Sequence, residues 1–404
     1  MRIAYIANYQ GPGLLQKRPI VGNLSLAANV KMELIAELLQ RRGHRVEILS
    51  QGEVIKLQCK FYPSFREAQL FDPNIPIFYS SALPIRFLNG LWSSRFTLRR
   101  FRARHQAFPY DVVIIYNMKT AQIACANYAI RRLGLPVILQ YEDDVFVSIG
   151  GETENDLRSR RHYNAYRGLM KTVSGGIAVS PHLLSQLPSD IPNLLLRGVV
   201  DEDILSAGRQ TLTDRKDRVV YCGTHFRSKG LDKLINAWGM IRLPGWELHI
   251  TGRGELTKVL EKMAQGNKSI VFHGLLDRQA KARLLGSAKI GINPHDVSGT
   301  PGNVFAFKII EYLAAGTHVI STPMGPLEPE LEAGITYMSD NTPETIARTL
   351  EKVVRKRCYE RTAVESAQSR YGPAAVSMAL DKLLREVAAA KDGNCPGSQN
   401  ERAA

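Results

Sequence analysis

Short runs of apolar and β-branched residues alternate along this chain with longer stretches whose apolar positions recur every three or four residues. Arg2–Ile6 reads as a strand. Ser25–Arg42 carries Leu26, Val30, Leu34, Leu38 and Leu39 at helical spacing and stops at Gly43, and Arg45–Leu49 reads as a second strand. Strands are expected at Asp111–Tyr116 and Pro136–Gln140 with a helix at Thr120–Arg132 between them, then a short strand at Gly176–Val179. Near residue 218 the alternation begins again. Strands at Val219–Cys222, Trp246–Thr251, Ser269–Phe272, Lys289–Asn293 and His318–Ser321 are separated by helices at Leu231–Ile241, Glu255–Gln265, Asp277–Ser287 and Val304–Ala315.

Unbroken β-branched strands need cover on both faces, which intervening helices supply as crossovers. Two consecutive series predict an α/β chain of two Rossmann-like, doubly wound parallel-sheet domains facing a central cleft. The expected divisions are 1–200 for a first domain and 201–372 for a second. A helix at 373–390, able to cross back to the first domain, and a disordered tail at 391–404 follow. The join lies in Leu196–Arg215, where Gly198, Asp201, Glu202, Asp203 and Gly208 show no clear periodicity.

Length agrees with two cores, since 404 residues exceed what one ordinary core organises. No stretch approaches the ~20 apolar residues that span a bilayer. The opening MRIAYIANYQGPG turns polar and Gly-rich too soon for a signal peptide. Five scattered cysteines show neither a disulfide framework nor metal-ligand spacing, so a cytoplasmic protein with no metal site is expected. The charge of +15 is uneven: residues 1–197 hold 25 Lys and Arg against 14 Asp and Glu, the remainder 28 against 24. A basic amino-terminal half suits an anionic partner or a solubilising surface. Within it, residues 84–104 interleave Arg86, Arg95, Arg99, Arg100, Arg102 and Arg104 with Phe87, Leu88, Leu91, Trp92, Phe96 and Phe101. Such a helix can lie on an anionic membrane, at the inner face of the cell membrane, or simply pack with a solvated basic face. Nucleic acid is not the expected partner, because no reader module accompanies the charge.

Chemistry concentrates in residues 295–322. After the strand ending at Asn293, Gly299 and Gly302 lead to a helix expected to start near Asn303, with Glu311 about two turns inside it. Glycines let backbone N–H groups approach an anion, and a helix amino terminus adds partial positive charge. Lys308 supplies a further cation for a diphosphate, and Glu311 can accept hydrogen bonds from vicinal ribose hydroxyls. Here the chain resembles the retaining GT-B glycosyltransferases, especially glycosyltransferase family 4. The phrase Glu311-Tyr-Leu-Ala-Ala-Gly316-Thr-His-Val-Ile320 is similar to the family's EAMAxG-x-PVI, and Phe305, Lys308 and Glu311 to its FxxK-x-x-EYLA variant. The family's first glutamate falls at Asn303, which hydrogen-bonds without charge.

The resemblance extends to CGTHFRSKGLDKLINAW, residues 222–238, where the family carries GR-x-x-x-x-KG. Gly223, Lys229 and Gly230 match; Thr224 stands at the Arg position, with Arg227 able to substitute. It implies Lys229 and Arg227 on the donor diphosphate, Glu311 on the ribose, and Asn303 and the backbone of Val304 and Phe305 near the sugar or phosphate. Gly252, in the Gly-x-Gly turn of HITGRGEL, and Leu275, in the FHGLL turn, lie where the family meets the nucleotide. Gly22 matches a glycine-rich approach loosely. Glu142 occupies roughly the position of a family His at a strand end, with Asp143 and Asp144 beside it, on the acceptor side. The resemblance implies a catalytic set of Asn303, Glu311, Lys229 and Glu142, no required cofactor, and a UDP- or GDP-sugar as substrate. The acceptor is a saccharide or lipid-linked saccharide of polysaccharide assembly. A nucleotide-sugar epimerase, an inverting transferase and a non-catalytic nucleotide-sugar binding protein share these features. A dinucleotide oxidoreductase would show Gly-x-Gly-x-x-Gly after a first strand, which neither Tyr5–Gly13 nor Thr251–Glu255 supplies.

Overall fold

In a computed structural model the alternating pattern resolves into two sheets, one in each of two units, Met1–Arg197 with Val376–Ala404 and Gly198–Ala375. The structure describes residues 1–18, 26–54, 60–67, 75–85, 88–143, 157–209, 215–297, 305–356 and 359–391.

The first unit holds β1 (Arg2–Ala7), β2 (Arg45–Ser50), β3 (Phe65–Glu67), β4 (Ile77–Tyr79), β5 (Val112–Tyr116), β6 (Val137–Tyr141), β7 (Gly175–Ala178) and β8 (Asn193–Leu195). Their order is β3-β4-β2-β1-β5-β6-β7-β8, parallel except for the edge strand β3. β1 is central, and Ile3 through Ala7 are buried because neighbours and helices cover both faces. Helix Leu26–Arg41 turns Met32, Ile35, Ala36, Leu38 and Leu39 inward, which is the spacing its sequence shows. Helix Thr120–Tyr128 departs from the expected single α-helix: residues Ala129–Leu133 widen into a π turn that ends at Gly134, φ 60°.

The second unit holds β9 (Lys216–Cys222), β10 (Glu247–Thr251), β11 (Ile270–Gly274), β12 (Ala288–Asn293), β13 (His318–Ser321) and β14 (Ile335–Tyr337). All are parallel, in the order β11-β10-β9-β12-β13-β14, so the winding reverses between β9 and β12. Side chains alternate across the sheet. Val219 and Tyr221 join Leu248, Ile250 and helix Leu231–Met240 on one face. Val220 and Cys222 join Ile309, Ile310 and Leu313 of helix Lys308–Ala314 on the other.

Two expectations need correction here. The stretch expected to join the domains without periodicity contains helix Glu202–Ala207, because Asp201 caps it through the Asp203 N–H at 2.9 Å and Ile204 and Ala207 bury. The helix expected from Val304 begins only at Lys308. Phe305 and Phe307, two apart, both pack against the core, and helical spacing would send them to different sides. Glu311 therefore lies in the first turn. The final helix, Pro373–Lys391, runs one residue beyond the expected 390, and residues 392–404, read as a tail, lie outside the described residues.

Tyr312 joins β9 to this late-starting helix: its hydroxyl accepts the Cys222 N–H at 2.7 Å. Its ring packs against Gly291, where a Cβ would come within 2.4 Å of it. Tyr312→Phe leaves a buried N–H without its acceptor, so urea unfolding should show a loss of about 1–3 kcal/mol with the fold retained.

Candidate functional site

The carboxyl ends of β9 and β12 flank the point where the winding reverses, and such points leave an open crevice in doubly wound sheets. From Cys222 the chain passes Gly223 and a 3-10 turn, Arg227–Lys229, into helix Leu231–Met240. Gly230, at φ 67°, permits that entry, since a Cβ there would lie 2.1 Å from the Pro294 carbonyl oxygen at the end of β12. Gly252, at φ 124° after β10, is equally constrained: a Cβ would fall 1.8 Å from the Gly223 oxygen. Buried His225 clips the two loops together. Its N–H donates to Arg253 O at 3.1 Å, its carbonyl accepts from Leu256 N at 3.0 Å, and Nδ1 lies 3.0 Å from Thr257 Oγ1.

Around these loops stand Lys229, Lys308, Lys281 and Glu311. Lys229 Nζ lies 3.3 Å from Nδ1 of buried His295. Burial, then the charges of Lys229 and Lys308, press the imidazole down to about 4, so at neutral pH it is uncharged and Nδ1 accepts a hydrogen bond from the ammonium. Lys308 Nζ sits 3.9 Å from the Tyr221 ring centroid. Burial, followed by Lys229, lowers it to about 7; burial alone lowers Lys229. Among the described residues, neither lysine forms an ion pair with a carboxylate. Glu311 is engaged elsewhere, its Oε1 2.7 Å from Nζ of Lys281 in helix Arg278–Ser287. Two cations short of counter-charge thus adjoin a carboxylate already paired, an arrangement that suits an anion carrying hydroxyl groups nearby.

The fold brings Gly223, Lys229, Gly252, Lys308 and Glu311 into one neighbourhood. Arg227 is exposed on its turn, Leu275 is exposed after β11, and Phe305 packs on the core. Asn303, Val304 and Gly22 lie outside the described residues. His295 and Lys281 were assigned no role from sequence. His295 had a visible signal, standing two residues past a strand end; Lys281, midway along an amphipathic helix, had none.

In the first unit Glu142 is held rather than free. Lys31 Nζ lies 2.6 Å from its Oε1 and 2.8 Å from its Oε2, and Gln140 Nε2 donates to Oε1 at 2.7 Å. Asn117, at φ 57°, accepts the Glu142 and Asp143 N–H groups at 2.8 and 3.3 Å and donates to Asp143 Oδ2 at 2.8 Å. Asp144 lies outside the described residues, as do Arg86 and Phe87. Helix Asn89–Ala107 buries Ser93, Thr97 and Phe101 rather than the larger apolar set. Arg104 forks onto Glu47 at 2.6 and 3.1 Å, Arg100 stacks on Phe78 and Arg102 on Tyr128. Arg95, Arg99, Leu88 and Leu91 face solvent, as does Phe61, whose ring meets that of Trp92 edge-on at 6.2 Å.

Residues 216–356 match the family described as Glycosyl transferases group 1, and residues 27–189 match the Glycosyl transferase 4-like domain. A GDP-mannose-dependent alpha-(1-6)-phosphatidylinositol dimannoside mannosyltransferase of Mycobacterium tuberculosis is 32% identical over 154 residues, 36% of this chain. The match spans 39% of that relative's length. Sucrose-phosphate synthase from Thermosynechococcus elongatus has a similar fold, with TM-score 0.70, 15% identity, and 96% and 100% of the two chains covered. So does Anabaena HepE in complex with UDP, with TM-score 0.64, 14% identity, and 95% and 100% covered. At these identities the likeness is one of fold.

Lys308 sets a pH dependence. Its folded value, about 7, lies below its ordinary 10.5, so the fold favours the neutral amine. That contribution to stability is fully present above the ordinary value and is lost as pH falls through the folded one. An anion favours the ammonium instead. Pyrophosphate affinity should therefore fall as pH rises from 6 through 8, by up to about tenfold per unit for one proton. Calorimetry in buffers of different ionisation enthalpy should show proton uptake that Lys308→Met removes.

Proposed function

We propose that this chain, whose residues 216–356 match the Glycosyl transferases group 1 family and residues 27–189 the Glycosyl transferase 4-like domain, moves a sugar from a nucleotide-sugar to an acceptor hydroxyl with retention of configuration. The observation that carries this reading is the pair Lys229 and Lys308, short of counter-charge beside lysine-paired Glu311. The bond from the anomeric carbon to the diphosphate oxygen breaks, leaving negative charge on the departing group. Two ammonium groups nearby lower the energy of that charge where it develops. The acceptor oxygen joins the anomeric carbon on the face the nucleotide leaves, and its proton passes to the departing phosphate. Positioning and charge stabilisation, with no protein nucleophile, then account for the rate.

Glu311 is assigned to the ribose hydroxyls, with Arg227 a further cation and Asn303 and the backbone of Val304 and Phe305 toward the sugar. By the resemblance, Gly22, Gly223, Gly252 and Leu275 are assigned to backbone contact with the nucleotide. The donor is a UDP- or GDP-sugar. Glu142 and Asp143 are assigned to the acceptor. Because Lys31 neutralises Glu142, it suits orienting hydroxyls better than taking a proton. The acceptor is a lipid-linked saccharide, in keeping with the phosphatidylinositol-linked substrate in the mycobacterial relative's name and the basic first unit. Leu88, Leu91, Phe61, Arg95 and Arg99 would lie against the anionic membrane that presents it. Among the described residues no helix is long and apolar enough to cross a membrane.

A thermal-shift panel of UDP-, GDP- and ADP-sugars identifies the donor, since a ligand that binds the folded form raises its melting temperature. With that donor, Glu311→Ala should lower transfer by roughly 100-fold or more with the fold retained, at a lower melting temperature because Lys281 loses its partner. Near-normal turnover would remove the ribose assignment, and release of free epimerised sugar without acceptor would replace transfer with epimerisation. Sedimentation with vesicles should show binding to anionic, not zwitterionic, lipid. Added salt and the Leu91→Glu/Arg95→Glu/Arg99→Glu variant should each weaken it.

A further inference from the structure

We propose that Lys281 is a positioning residue for Glu311, fixing one carboxylate oxygen so that the other is presented to the vicinal hydroxyls of the donor ribose. The inference rests on the assignment of Glu311 to the ribose. Glu311 and Lys308 are three residues apart on one helix, a spacing at which opposite charges attract each other. Left to itself, the carboxylate would turn to that ammonium and cancel a charge meant for the diphosphate. Lys281 offers a stronger claim, at 2.7 Å from a separate element.

That element is firmly held. Helix Arg278–Ser287 is capped by Asp277, whose Oδ1 accepts the Ala280 N–H at 2.7 Å, and Ala282, Leu284 and Leu285 are buried in the core. Arg278 adds an ion pair with Asp201 at 3.6 Å. The nearby Cys222 thiol, pushed up to about 12 chiefly by burial, stays neutral and does not compete for the ammonium. Burial opposes the charge on Lys281, but Glu311 outweighs it and holds the lysine above its ordinary value. Lys281 thus sets both the aim of the carboxylate and the surplus charge beside it.

The test compares affinities, by calorimetry, for the nucleoside diphosphate of the preferred base and for its 2′-deoxy and 3′-deoxy analogues. A contact with vicinal hydroxyls gives the unaltered protein a preference for the ribose form. Lys281→Met should cut that preference by about tenfold or more, as Glu311→Gln should, and Lys281→Arg should retain most of it. A lysine that only supported the fold would weaken ribose and deoxyribose ligands alike and leave the preference unchanged. Lys281→Gln serves in the same comparison should the Met variant not fold. Loss of preference in Glu311→Gln but not in Lys281→Met or Lys281→Gln overturns the role of Lys281 and leaves the ribose assignment standing. An unchanged preference in Glu311→Gln overturns that assignment, and the inference with it.

Discussion

Unbalanced positive charge at a point where a sheet reverses its winding is the constraint around which the second unit is arranged. After β9 the chain crosses one face of the sheet, and after β12 the other, so no connection fills the space above their carboxyl ends. Lys229 arrives on the first connection and Lys308 on the second. Holding two ammonium groups there, partly shielded from water, opposes folding in the absence of an anion; the depressed value of Lys308 expresses that opposition. The neutral imidazole of His295 supports Lys229 without cancelling its charge. Lys281, by engaging Glu311, keeps that carboxylate from doing so.

Close backbone packing gives the crevice its shape. Gly252 lies against Gly223 and Gly230 against Pro294, at distances a side chain would prohibit. His225 ties the loops after β9 and β10 through its own main chain as well as its ring. Tyr312 does similar work from below, joining the end of β9 to the helix that carries Lys308 and Glu311. The described part of the site is therefore built from the ends of regular elements.

The first unit handles charge in the opposite way. Glu142 meets Lys31, Glu53 meets Lys119 at 3.0 Å, and Glu47 meets Arg104, so the polar side chains at its strands are largely matched. Lys31 also donates to the Leu196 and Arg197 carbonyls at 3.1 and 3.4 Å, tying the end of β6 to the residues where the unit closes. A matched network can orient a hydroxyl-rich ligand by hydrogen bonds, and it lacks the surplus charge that a diphosphate calls for. Part of the basic excess of this half appears on helix Asn89–Ala107, where Arg95 and Arg99 remain exposed.

The repeated strand and helix pattern, the parallel class and most element positions were legible in the sequence, because a strand buried on both faces must be continuously apolar and its crossover helix must be amphipathic. Gly223, Lys229, Lys308 and Glu311 were legible too, since strand end, loop and helix entry are adjacent in sequence and carry local signals. Other features required the tertiary structure. Phe305 and Phe307 found the core and delayed a helix that propensity alone would have begun earlier. The π turn after Tyr128, the clasp of His225 on the Gly252 loop and the grip of Lys281 on Glu311 join residues whose meeting no local spacing encodes. The sequence by itself determined which groups would be offered at the ends of the strands. Which of them would be neutralised was decided only by packing, because the strength of a charge depends on its partners and its distance from water.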